Sequence, residues 1–129
     1  VCDDVSKPLG HYWAPLDAAD PWTTEYAKSV GETTAVGSVD VADTGYLLGG
    51  NEYHAMVIHQ DDGTRIGCGV LHSVAQATMG NYPGTTSGVT GTIWVAQGST
   101  TDKPNDLVLS YELDGLPMDE EMGGLHFHT

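Results

Sequence analysis

Basic residues are scarce in this chain. Its 129 residues hold four lysines and arginines against eighteen acidic residues, a formal net charge of −14. Such a field repels phosphate backbones and anionic lipid surfaces, which excludes nucleic acid and membrane as partners. Long apolar runs are missing as well: none approaches the ~20 residues that span a bilayer. The opening Val1 to Val5 lacks the basic and apolar regions of a signal peptide, so the chain reads as processed or cut from something longer. Only two cysteines occur, Cys2 and Cys68. They fit either free thiols in a cytosolic protein or one disulfide in a secreted one.

What is present is the material of short strands. Seventeen glycines and many Thr and Val residues, with few helix-period windows, predict an all-β chain. Strands are expected at Ala35–Val41, Ala55–His59, Thr64–Leu71, Gly91–Ala96, Asp106–Leu113 and Leu125–Phe127. Turn chemistry separates them at Gly49-Gly50-Asn51, Asp61-Asp62-Gly63, Gly98-Ser99-Thr100 and Gly123-Gly124. Regular spacing of this kind points to one sandwich or barrel of about eight strands. The Pro-, Asp- and Trp-rich stretch from His11 to Tyr26 reads as a long ordered loop, and the Gly/Ser/Thr/Asn-rich residues 73–88 as a linker or, from Val74, an entry into the first strand. Trp13, Trp22 and Trp94 are expected to fill the core or cover loops. No internal repeat is visible.

Six histidines exceed what packing requires, and two of them form His126-Phe127-His128. Residues two apart on a strand share a face, so both imidazoles can meet one metal while Phe127 turns into the core. Neutral imidazole suits copper and zinc. A second element runs from Ala55 to Leu71: an apolar strand ends in His59, a turn follows, and Arg65 stands three residues before Cys68.

This second run resembles the closing strands of the copper/zinc superoxide dismutase family, with their Arg-X-X-Cys-Gly-Val signature, which in this chain is Arg65 to Val70. Rotating the chain order extends the resemblance to nearly all of it. Tyr111 to Leu116 and Gly123 to His128 are similar to the family's early segment, while Cys2 and Gly10-His11 supply the next landmarks. The resemblance implies a Greek-key barrel in which residues 1–72 form the second half, 73–88 a linker, and 89–129 the first half, of this or the next repeat. It also implies copper ligation by His126, His128, His11 and His59, a Cys2–Cys68 disulfide, and Arg65 as guide for an anionic substrate. Between Tyr12 and Tyr53 the chain has no histidine, so a zinc site is not expected, and Gly10 to Trp13 with Asp20 to Tyr26 is similar to the copper-only branch. In that branch a carboxylate replaces zinc in orienting the bridging imidazole, and Glu25 and Glu32 are the candidates for it in this chain. His54 and His72 read as surface or turn residues.

The implied activity is extracellular dismutation of superoxide to dioxygen and hydrogen peroxide, with His11 as the bridging imidazole that carries a proton. The net charge opposes this in part, because superoxide is an anion, although screening lets the local Arg65 charge dominate. An alternative expectation is a structural one. A chain beginning after a His-X-His element and ending on it fits a unit of a tandem array, or a subunit of a secreted filament that contacts other copies head to tail. A copper storage module would keep the four histidines and dispense with Arg65.

Overall fold

The computed structural model describes residues 2–3, 10–14, 19–98 and 106–129. Eight strands occur among the described residues: β1 (Glu25–Ala27), β2 (Ala35–Val41), β3 (Ala55–His59), β4 (Arg65–Val70), β5 (Gln76–Asn81), β6 (Thr90–Gln97), β7 (Leu107–Asp114) and β8 (Met122–His128). All pairings are antiparallel, in the order β1-β8-β3-β4-β5-β6-β7-β2, and the sheet curls into a nearly closed barrel. Strands β3 to β7 run as a meander. The chain then leaves β7 to pair β8 with β3, a crossover that departs from simple up-and-down order. No helix among the described residues is long and apolar enough to cross a membrane.

Alternation fills the interior. Ile93 and Val95 of β6, Leu107, Leu109 and Leu113 of β7, and Leu125 and Phe127 of β8 all point inward and are buried in one core with Met56 and Ile58. Each such side chain contributes about 1.5–3 kcal/mol on burial. On β3 the outward residues are buried too: Ala55 and Val57 pack with Cys68 and Tyr82 in a second, smaller cluster against which Cys2 lies. The Cys2–Cys68 disulfide is formed, and it pins the start of the chain onto this outer surface of β3 and β4.

Where β1 faces β2 no ladder connects the two edges. Tyr111 of β7 crosses this seam beneath its cross-strand partner Gly37, and its hydroxyl accepts the Ala27 N–H at 3.1 Å. A Cβ on Gly37 would lie 2.6 Å from that hydroxyl oxygen, so glycine is what lets the ring pass.

Two expectations need correction. Residues 73–88 are not a plain linker, because β5 lies within them and pairs with both β4 and β6. Of its residues only Ala77 and Met79 are buried, too short an apolar pattern to stand out against Gly, Thr and Asn, and its neighbours impose the strand. Trp94 is not a core residue either. Ile93 and Val95 take the inward positions, and Trp94 remains 41% exposed on the outer face.

Candidate metal centre

The four histidines converge. One ring nitrogen from each of His11, His59, His126 and His128 lies within 4.8 Å of the others. Alternation on β8 sends His126 and His128 to the face opposite Leu125 and Phe127, and β8 pairs with β3 so that Val57 stands beside His126. His59 follows at the end of β3, where a bulge shifts the register against β4. His11 arrives from the loop: it bridges to His128, while Tyr12 N–H donates to the Phe127 carbonyl at 2.9 Å. All four belong to one chain, so the donor set needs no neighbouring repeat, and His126 and His128 serve the same barrel as His59.

Hydrogen bonds assign the free nitrogens. His59 Nδ1 donates to the Gly63 carbonyl at 2.9 Å, which leaves Nε2 with its lone pair. His11 Nδ1 bonds Asp20 Oδ2 at 2.7 Å, again leaving Nε2 as the donor atom. His126 Nδ1 is buried without a partner, an orphan of the kind a metal ion satisfies. His128 Nε2 sits 3.4 Å from His59 Nε2. Burial, and secondarily the neighbouring His11, His59 and His128, pushes the His126 pKa down to about 3. Burial also lowers that of His59, assisted by the Arg65 and His11 charges against the Gly63 hydrogen bond. Both rings are therefore neutral and able to ligate at ordinary pH.

Two nitrogens on one ion at bond lengths of about 2.0–2.1 Å stand no more than ~4.2 Å apart. The outer spread of 4.8 Å is slightly wider, so the rings must draw in by some tenths of an ångström on loading. Gly124 makes room for them, because a Cβ there would meet His126 Cε1 at 2.5 Å.

A cleft of about 500 Å³ opens onto the cluster, lined by His11, His59 and His126 together with Trp22, Glu25 and Asp61. Among the described residues no basic side chain lines it. Arg65 stands to one side: its Nη1 donates to the Tyr82 hydroxyl at 2.8 Å, and its guanidinium carbon lies 5.6 Å from that ring's centre. Its charge still depresses the His59 pKa, so it is felt at the cluster.

The carboxylate that touches His11 is Asp20, rather than Glu25 or Glu32. Asp20 is held in turn, since Oδ1 accepts Trp22 N–H at 2.8 Å while Trp22 Nε1 donates to the Tyr12 carbonyl at 2.7 Å. Glu25 lines the cleft, and Glu32 lines a separate surface groove with Lys28 and Thr34. The signal in the sequence was Asp-Pro-Trp, a carboxylate able to cap its own turn two residues on, close in sequence to His11. Glu120 was also missed. This buried carboxylate accepts Asp61 N–H at 3.0 Å and meets the Tyr26 hydroxyl, which lies 2.9 Å from the His59 carbonyl oxygen. Together Tyr26 and Glu120 fix the turn that follows His59. No sequence signal marks that pairing.

His54 is no simple surface residue. It stacks on Tyr12 with ring centres 3.5 Å apart, and Tyr46 stacks on Tyr12 at 4.2 Å. Two parallel rings this near cannot share one face, so Tyr12 is sandwiched. Burial and the neighbouring Tyr46 hydroxyl raise the Tyr12 pKa. His72 is exposed, as expected.

Fold and site together define an all-β barrel carrying a four-histidine cluster competent to hold a metal ion. Comparison of the chain with protein-family models, with curated proteins and with solved structures finds no match.

Proposed function

We propose that this chain is a copper-binding, superoxide dismutase-like domain of the copper-only type, working outside the cell. The observation that carries the reading is the donor set itself: four converging imidazoles, with His11 and His59 locked by hydrogen bonds at Nδ1 and His126 Nδ1 buried without a partner. Imidazole donors suit copper, and a redox-active copper ion would supply the one-electron chemistry that converts superoxide to dioxygen and hydrogen peroxide. The chain's own groups do the rest. Asp20 orients His11 and sets which nitrogen it presents, Gly63 does the same for His59, and the burial of His126 keeps its ring unprotonated. The open cleft gives a diatomic anion direct access, with Arg65 as the nearby positive charge. The disulfide is compatible with an oxidising compartment.

The test is metal content after dialysis against equimolar copper and zinc, followed by superoxide consumption, for wild type, His59→Ala and Arg65→Ala. Copper retention near one ion per chain, turnover lost in His59→Ala and slower turnover in Arg65→Ala are expected. A preference for zinc, or copper without turnover, would replace this reading with a structural or storage site.

A further inference from the structure

The side of the barrel away from the histidines has a chemistry of its own. Alternation on β6 turns Ile93 and Val95 inward and leaves Thr92 and Trp94 on the outer face. On the neighbouring strands the same face presents Glu112 and Ser110 of β7, opposite Thr92 and Trp94, and Val36 and Ser38 of β2 one strand further on. Trp94 is 41% exposed and Val36 72% exposed. They stand two strands apart, about 9.5 Å across the sheet. A groove of about 490 Å³ runs between them, lined also by Thr34, Thr92, Glu112 and Asp114. A second groove of about 460 Å³ shares Thr34 and Val36 with the first and continues past Ser29 and Glu32. The result is a track rather than a closed pocket.

We propose that this face binds a neutral, linear polysaccharide, with Trp94 as the stacking platform. The exposed Trp94 indole offers a π surface to the C–H face of a sugar ring. Ionised carboxylates only accept hydrogen bonds, and hydroxyls do both, so Glu112 and the threonines match a ligand rich in O–H donors, together with the second oxygen of Asp114, whose Oδ1 already accepts the Thr33 hydroxyl and the Gly115 N–H. Anionic ligands are repelled, because the only cation along the track, among the described residues, is Lys28. Its ammonium already donates to the Ser29 and Glu120 carbonyls. A second copy of the chain across a two-fold axis would bring Glu112 and Asp114 toward their own counterparts, and like charge opposes it. The two grooves share Thr34 and Val36, and that continuity fits a linear polymer better than a small molecule. None of this depends on the metal reading.

The experiment is co-sedimentation of the whole chain with insoluble cellulose and with chitin, for wild type, Trp94→Ala and Trp94→Tyr. Saturable retention of wild type on at least one of them, an apparent Kd weakened at least about tenfold in Trp94→Ala, and retention kept in Trp94→Tyr are expected. Urea unfolding midpoints should be close in all three, which shows that the exposed substitution leaves the barrel folded. No retention of wild type on either polymer overturns the proposal, as does equal retention of wild type and Trp94→Ala. Trp94-dependent dimers of the protein alone in sedimentation velocity would assign the face to a second copy instead.

Discussion

His11 Nδ1 and Asp20 Oδ2 meet at 2.7 Å, and the other Asp20 oxygen is held by the Trp22 backbone. A loop nitrogen is thereby given the rigidity that strands give to His126 and His128. Removing the carboxylate should free the His11 ring to rotate. Asp20→Asn is expected to weaken metal affinity by about 10- to 100-fold, while Glu25→Gln leaves it nearly unchanged. Competition against a chelator of known affinity measures both, and a larger loss in Glu25→Gln than in Asp20→Asn would reverse the assignment.

The acidic cleft predicts an unusual salt response. With Glu25 and Asp61 in its lining and a net charge of −14, an incoming anion is repelled at long range. On the proposed function, superoxide turnover by the copper-loaded chain should therefore rise as salt is raised from about 10 to 150 mM, because the Debye length shrinks to ~8 Å. Glu25→Gln and Asp61→Asn should each raise kcat/KM and flatten that dependence. A rate that falls with salt would mean that the Arg65 charge dominates the approach.

Burial of neutral histidines ties stability to pH. The His126 pKa is lowered to about 3 in the fold, against an ordinary value of 6.5. Between those values the unfolded chain binds more protons than the native one, so stability is full above about pH 6.5 and is lost progressively as pH falls toward 3. Tyr26 acts at the other end. Burial and its contact with Glu120 raise its pKa far above 10, so stability declines as pH rises past 10, where the unfolded chain ionises first. Urea midpoints of the metal-free protein across pH 4 to 11 should trace a plateau with both shoulders, and the acid shoulder should shrink in His126→Gln.

The barrel seam can be probed separately. Tyr111→Phe removes the acceptor of the Ala27 N–H and should cost about 1–3 kcal/mol. Gly37→Val places atoms where the Tyr111 ring now passes and should cost about as much or more. If the two changes combined cost no more than Gly37→Val alone, they act on one contact.

Much of this architecture is legible in the residues alone, for identifiable reasons. Ala35–Val41 and Ala55–His59 are strands at the expected residues, and the alternation around Leu125 and Phe127 puts both histidines of β8 on one face. Strand periodicity is a local property and survives in the sequence. Strand β5 is not legible, because its extension is imposed by the strands on either side. Asp20 is hidden for a related cause: a loop has no period, and only its folded path shows which carboxylate reaches His11. The turn of the Arg65 guanidinium toward Tyr82, from a different strand connection, is equally invisible to a motif.

Strand β8 carries the hydrophobic core on one side and half of the metal cluster on the other, residue by residue in alternation. A slip of one position against β3 would bury two imidazoles among leucines and turn Phe127 out of the core. An ion that requires His126 and His128 together with His59 rewards a single alignment of the two strands. Metal loading would then also act as a proofreader of strand pairing, holding back any molecule that closed its barrel out of step.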